Sequence, residues 1–250
     1  MIYSADLIWH LVQRDFQLSH IGSFLGVGWR ILLPLAQLAL LVLVFGSIVP
    51  LDIPDYPAFI YSALLPWLWF NSTLGSSGFL FLGNRDLLRR PNFSPIVLIV
   101  ANMISTLITF LVSLPLLFFL LAWYERPVSG AVVLFPLILL VQGVLIFGLS
   151  LIIATYNVFY RDIAHFVSII LPMLFFITPV FYRPMAEVEY SSWFQLNPMT
   201  ALVRAYRAVF FHGAMPEWSA VLIVAAISLA LLWASYTAYR NRLPDIIDIL

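Results

Sequence analysis

Apolar residues run through this chain in long unbroken stretches that charged residues punctuate. Stretches free of Asp, Glu, Lys and Arg cover 31–51, 56–84, 91–124, 127–160, 163–182 and 218–239, with lengths of 21, 29, 34, 34, 20 and 22 residues. A helix that crosses a bilayer needs about 20 mostly apolar residues. Each stretch therefore holds one crossing, and none holds two with a turn. The pattern predicts an all-α integral membrane fold of six transmembrane helices. A transmembrane barrel would show short segments of alternating polarity instead.

Two segments outside these runs keep a helical pattern. Over 4–19, Leu7, Ile8, Leu11, Val12 and Phe16 recur at helical spacing while Asp6, His10, Gln13 and Gln17 lie off that stripe. This predicts an amphipathic helix lying in the membrane interface with its apolar face in the headgroup boundary. It serves either as a plain anchor or also as a docking surface. Gly22, Gly26 and Gly28 follow, and the spacing of the first two fits close helix packing. Between runs five and six, Asn197 and Pro198 supply a cap and a first helical residue, and Gly213 a stop, which predicts a helix over 198–212. Its fifteen residues would span roughly 22 Å, too short to cross, so a re-entrant or interfacial helix is expected. Residues 185–196 are its candidate first arm, and the two together form a lid. One membrane domain results: an interface segment over 1–30, a six-helix body over 31–239 that includes the 183–217 gate segment, and a tail over 240–250.

Composition agrees with the pattern. Of 250 residues, 63% are hydrophobic and 10% charged, the formal net charge is zero, and the mean hydropathy is +1.01. Soluble folds carry roughly 25% charged residues, and a neutral chain has no electrostatic pull toward nucleic acid. No cysteine is present, which removes disulfides and thiolate chemistry. All twelve basic residues are arginine. Eight (Arg14, Arg30, Arg85, Arg89, Arg90, Arg161, Arg240 and Arg242) fall on the side of the termini, and four (Arg126, Arg183, Arg204 and Arg207) on the other. By the positive-inside rule both termini are cytoplasmic. Asp6, His10, Arg14 and Asp15 interrupt the first residues, so no cleavable leader is expected.

Candidate chemistry is sparse. His10 and Asp15 fit the spacing of an acyltransferase motif, yet residues five apart on one helix are separated by about 140° and would not meet. His165 and His212 lack a second ligand at helical spacing. The apolar runs hold no acid or base except His165 near the start of the fifth, whereas secondary transporters usually carry an ionisable coupling group. Gln37, Asn71, Asn102 and Gln142 read first as hydrogen-bonding glue between helices. A P-loop requires a lysine that reaches the phosphates, and the chain contains no lysine. If ATP is the driver, a second polypeptide binds it. Two loops stand out. Residues 83–95 carry Arg85, Asp86, Arg89 and Arg90 around Leu87 and Leu88, the pattern of a plain charged anchor or of a short helix offering two leucines in a charged ring. Residues 157–164 repeat an Arg-Asp pair at Arg161 and Asp162. Aromatic residues make up 16% of the chain and cluster at Trp67, Trp69 and Phe70 and at Phe175, Phe176, Phe181 and Tyr182. They suit packing and interfacial belts, or a channel wall whose faces slide along sugar rings, with Pro172 and Pro179 bending the fifth helix.

Five blocks, in order, carry a family resemblance: LVQRDFQLSHIGSFLGVGWRILLPL at 11–35, NRDLLRRPNFSP at 84–95, NVFYRDIAHFV at 157–167, ITPVFY at 177–182 and NPMTALVRAYR at 197–207. Together the sequence resembles the membrane subunits of ABC exporters of O-antigen, capsule and teichoic-acid polymers. It departs at Ser19-His20, where the family more often has an Arg-Tyr pair. The resemblance implies a non-enzymatic permease in the bacterial inner membrane that forms a homodimer with two copies of a separate ATPase and exports a lipid-linked polysaccharide, O-antigen foremost. ATP and Mg would be bound by the partner. It implies coupling to the ATPase through Arg85, Asp86, Leu87, Leu88, Arg89 and Arg90, with Arg14, Asp15, Arg161 and Asp162. It further implies a gate containing Asn197, Pro198, Arg204 and Arg207, and a channel between protomers lined by spans one, two and five. An ion-coupled flippase of lipid-linked glycans is the alternative, and a transferase acting on such lipids a third.

Overall fold

The computed structural model describes residues 2–18, 28–49, 51–91, 93–126, 129–183 and 196–249, and all regular structure among them is helical. Gly22, Gly26, Ser19-His20 and all but the last residue of the expected first gate arm (185–196) lie outside the described residues. The elements are α1 (Ile2–Leu18), α2 (Gly28–Leu43) continuing into a π turn at Val44–Ile48, α3 (Tyr56–Ser77), α4 (Phe79–Leu82) and α5 (Arg85–Leu88). After these come α6 (Ile96–Trp123), a 3-10 turn (Gly130–Leu134), α7 (Phe135–Asn157), α8 (Asp162–Ile177), α9 (Pro198–Phe210) and α10 (Trp218–Ile249).

Among the described residues, four helical stretches are long and apolar enough to cross a membrane: Gly28–Ile48, Ile96–Trp123, Gly130–Asn157 and Trp218–Ile246. Helices occupy the other two expected spans as well, but each falls short on a different count. α8 is apolar and only 16 residues long. α3 has 22 residues, enough for about 33 Å, but its last two turns read Asn71-Ser72-Thr73-Leu74-Gly75-Ser76-Ser77 and dilute its hydropathy.

α3 is the central post. Ala58, Phe59, Ile60, Ala63 and Leu64 are fully buried, and α6, α7, α8, α9 and α2 all pack on it. The expected hydrogen-bonding glue is visible here. Gln142 of α7 donates to the Pro66 carbonyl at 2.7 Å, and Asn102 of α6 accepts from Ser76 at 3.0 Å. In the apolar interior such bonds replace hydration these groups have lost. α7 and α10 run together so closely that a Cβ on Gly148 would meet the Leu232 backbone at 3.3 Å.

Beside the large core built on α3, a second apolar cluster joins one end of the bundle. It contains Leu11, Val12, Phe81, Leu88, Leu98, Ile99, Leu151, Tyr239 and Ile246. Here α1 departs from expectation. Leu11 and Val12 are 6% and 1% exposed because the apolar stripe of α1 packs on α6 and the α4–α5 elbow, not on lipid. An amphipathic stripe specifies an apolar neighbour, and protein side chains meet that need as well as acyl chains do.

Candidate coupling base and gate helix

The charged loop after α3 folds as an elbow. α4 and α5 are single turns that reverse the chain before α6, and the Asn84 amide stitches the bend by donating to the Leu80 carbonyl at 2.9 Å. On α5 and just after it, Arg85, Asp86, Arg89 and Arg90 are exposed, Leu87 is half-buried and Leu88 is 4% exposed. The two leucines therefore do not stand out as a pair. Leu88 anchors the elbow in the second cluster, and the face left outside is charged.

Three contacts join α1 to this elbow and to the spans. Arg14 Nη2 donates to Asn84 Oδ1 at 2.7 Å. Asp15 pairs with Arg30 at the start of α2 at 3.4 Å and also accepts from the Ser105 hydroxyl of α6. Arg30 Nη1 reaches the Ser105 carbonyl at 3.1 Å and Thr109 Oγ1 at 3.3 Å. His10 is exposed, and Asp15 bonds Arg30 and Ser105.

The turn between α7 and α8 has a lock that the sequence reading passed over. Asn157, 1% exposed, donates from Nδ2 to the Gly78 carbonyl at 2.7 Å and accepts the Ala164 amide at 2.8 Å through Oδ1. One amide thus fixes the ends of α3, α7 and α8. Gly78 is required for it, since a Cβ there would stand 2.8 Å from the Ala164 Cβ. The available signal was an Asn near the end of an apolar run, four residues before the Arg161-Asp162 pair. At the same end, Arg242 of α10 lies over the Phe159 ring at 5.7 Å.

α3 leads to the opposite end, where the candidate gate helix α9 sits. Asn197 caps α9 as expected, with its Oδ1 accepting from Met199 N at 3.0 Å. The helix stops at Phe210, two residues earlier than expected, and Gly213 follows at φ 61°. α9 is no surface lid in the protomer. Met199, Leu202, Val203, Tyr206, Val209 and Phe210 are all buried, against α3, α7 and α10.

Arg207 is the decisive side chain of this end. It is 6% exposed, stacks over Phe59 at 3.7 Å, and donates from Nη2 to the Pro179 and Val180 carbonyls at 3.0 and 2.9 Å. Asn197 Nδ2 donates to Thr178 Oγ1 at 2.8 Å and Tyr56 OH to the Phe181 carbonyl at 2.8 Å. The turn Thr178–Phe181, which ends α8, is thereby held from three sides. Arg204 is half-buried one turn earlier. Nearby, Asp55 and Arg126 pair at 2.6 Å and Arg126 covers Phe211 at 4.5 Å. Burial, then Arg183, Arg207 and Arg126, push the His212 imidazole below its usual range.

The aromatic candidates divide. Trp67, Trp69 and Phe70 are buried inside the protomer at 2%, 2% and 4% exposure. Phe175 is half-buried against Trp67 at 5.5 Å, and Phe181 stacks on Phe45 at 4.8 Å. Tyr182 donates to the Phe176 carbonyl at 3.0 Å, while the Phe176 ring is exposed. What α3 turns outward is a strip that the aromatic reading missed: Ser72 and Gly75 are exposed, and Asn71 and Ser76 half-exposed. α8, which crosses α3 at Gly75 and Gly78, exposes His165 and Ser168. The polar run 71–77 inside an apolar stretch was the signal.

A model of the ABC-2 type transporter family matches residues 6–211, from α1 through the gate helix. The chain belongs to that family. It is 35% identical to the O-antigen export system permease protein RfbA of Myxococcus xanthus over 240 residues, covering 94% of this chain and 92% of the relative. Against the permease of the same name from Klebsiella pneumoniae it is 28% identical, covering 98% and 96%. Against the polysialic acid transport protein KpsM of Escherichia coli it is 27% identical, covering 88% of each. As an ABC-2 membrane domain, the chain presents the charged elbow and the buried helix α9 at opposite ends of α3, joined by the apolar body.

Proposed function

We propose that this ABC-2 protein is the permease subunit of an ATP-driven exporter that moves a lipid-linked polysaccharide, O-antigen foremost, across a bacterial inner membrane. The single observation that carries the reading is the 35% identity to an O-antigen export permease over nearly the whole of both chains. The body crosses the membrane six times, with α3 and α8 as the second and fifth crossings and both termini in the cytoplasm. Two copies associate with two copies of a separate ATPase that binds ATP and Mg, and the conduit lies between protomers, walled by α2, α3 and α8. The strip Asn71, Ser72 and Ser76 supports this wall, because exposed polar side chains are costly against hydrocarbon and suit hydrated sugar. Phe176 and Tyr182 extend the wall with aromatic faces, while Trp67, Trp69 and Phe70 hold it from behind.

Motion of the ATPase enters through the exposed Arg85, Asp86, Arg89 and Arg90, with Arg161 and Asp162 beside them. Leu88, Arg14–Asn84 and Asp15–Arg30 pass it as a rigid-body displacement to α1, α2 and α6. At the far end, α9 and the Thr178–Phe181 turn respond as the gate. The test is export of a lipid-linked glycan in cells lacking the chain. Restoration should require both this chain and an intact P-loop ATPase partner. Restoration with a Walker-lysine mutant of the partner would overturn the proposal.

A further inference from the structure

On the flank formed by α6, α7 and α10, a half-open cavity of about 280 Å³ enters the body. Its floor is Trp69, its walls are Met103 and Leu107 of α6, Gly143 and Val144 of α7, and Leu232 of α10. No polar surface lines it. Water needs two to four polar partners to occupy such a space, and even apolar cavities of ~150 Å³ stay dry and accept hydrocarbon guests.

The cavity is shaped rather than incidental. Gly143 opens it by leaving out a side chain whose Cβ would lie 3.5 Å from the Trp69 ring. One and a half turns on, the close crossing of α7 and α10 at Gly148 ends the gap. Its surroundings identify what fills it. All three walls belong to helices long and apolar enough to cross a membrane, and Leu140 at the rim is 66% exposed. Leu107 lies twelve residues into the 28 of α6, roughly 16 Å along the helix. The mouth therefore opens well inside the hydrocarbon, below the depth of any headgroup, where phospholipid chains are the solvent.

We propose that this cavity is a binding slot for one acyl chain of a bilayer phospholipid, wedged between α6 and the α7–α10 pair. The proposal does not rest on the transport reading. The slot can be tested with the full chain reconstituted in phosphatidylcholine vesicles containing a small fraction of phosphatidylcholine with a diazirine in mid-chain. After irradiation, mapped adducts should concentrate several-fold on the segments containing Met103 and Leu107 and Leu140 to Val144, relative to the exposed Leu222 and Ile223 of α10. Gly143→Phe should abolish that excess, and Val144→Trp serves if the first variant does not fold. Uniform labelling, an excess that survives filling of the slot, or displacement of the label by added polyprenyl phosphate would each overturn the assignment.

Discussion

At the base, Arg85, Arg89, Arg90 and Arg161 lie on the outside, and the holding is spread over Asn84, which closes the elbow, Asn157, which joins three helix ends, and the Arg14–Asn84 and Asp15–Arg30 contacts. At the gate end, Arg207 is inside the protein and its guanidinium itself holds the turn, bonded to two carbonyls and stacked on Phe59. The same residue type thus has two employments. Exposed cations cost nothing to keep hydrated and suit docking to a polar partner. A buried cation is costly unless its hydrogen bonding is used; Arg207 bonds two carbonyls through Nη2 and leaves Nε without a partner among the described residues, so its turn depends on those two bonds and the Phe59 stack.

Substitutions at the two ends should separate these roles. Arg207→Ala has the largest expected effect. Loss of two charge-assisted bonds and of the Phe59 contact should lower stability by about 3 kcal/mol, seen as a drop in the thermal midpoint of the detergent-solubilised protein, with export lost. A midpoint like the parent's would show that the turn does not depend on this arginine. Gly78→Val forces a side chain into Ala164 and should cost about 2 kcal/mol. Asn157→Leu leaves the Gly78 carbonyl and Ala164 amide unpaired, for a similar loss. If either variant melts normally, the base is not locked as described.

Smaller shifts in stability sharpen the comparison further. Arg14→Ala removes one exposed bond to Asn84 and should lower the midpoint by no more than the equivalent of ~1 kcal/mol. It should nonetheless weaken the dependence of ATP hydrolysis on glycan substrate, because α1 would no longer travel with the elbow. Arg89→Glu reverses an exposed charge on the elbow, so stability should fall by less than about 1 kcal/mol while co-purification of the ATPase falls. Unchanged co-purification and export would place docking elsewhere.

Helix positions were legible because charge interrupts the apolar runs: each expected run overlaps one of the helices α2, α3, α6, α7, α8 and α10, although α2 begins before its run at Gly28 and α10 continues past Arg240 and Arg242. The Asn197 cap was legible for the same local reason, since an N-cap is decided by a side chain and an amide two residues on. Orientation was not. The stripe of α1 was correctly seen, but periodicity names a face and not its neighbour, and the neighbour proved to be α6. Leu88 and Trp67 look alike in the sequence whether they point outward or inward, and tertiary packing turned both inward. Arg207, in a helix rich in apolar residues, gave no hint that it would be buried, because its partners are carbonyls some thirty residues earlier. Asn71, Ser72 and Ser76 stood in plain view as polar letters in an apolar run, yet their meaning depends on which side of α3 the neighbours leave open.

The central claim is that this chain is a passive conduit worked from its base by a nucleotide-hydrolysing partner. It is tested most directly in proteoliposomes loaded with a fluorescent lipid-linked glycan, with the proton gradient collapsed by an ionophore. Translocation should proceed with chain, ATPase and ATP together, and stop when any of the three is omitted. Steady uphill movement by the chain alone, driven by an imposed proton gradient and needing no ATP, would contradict the account.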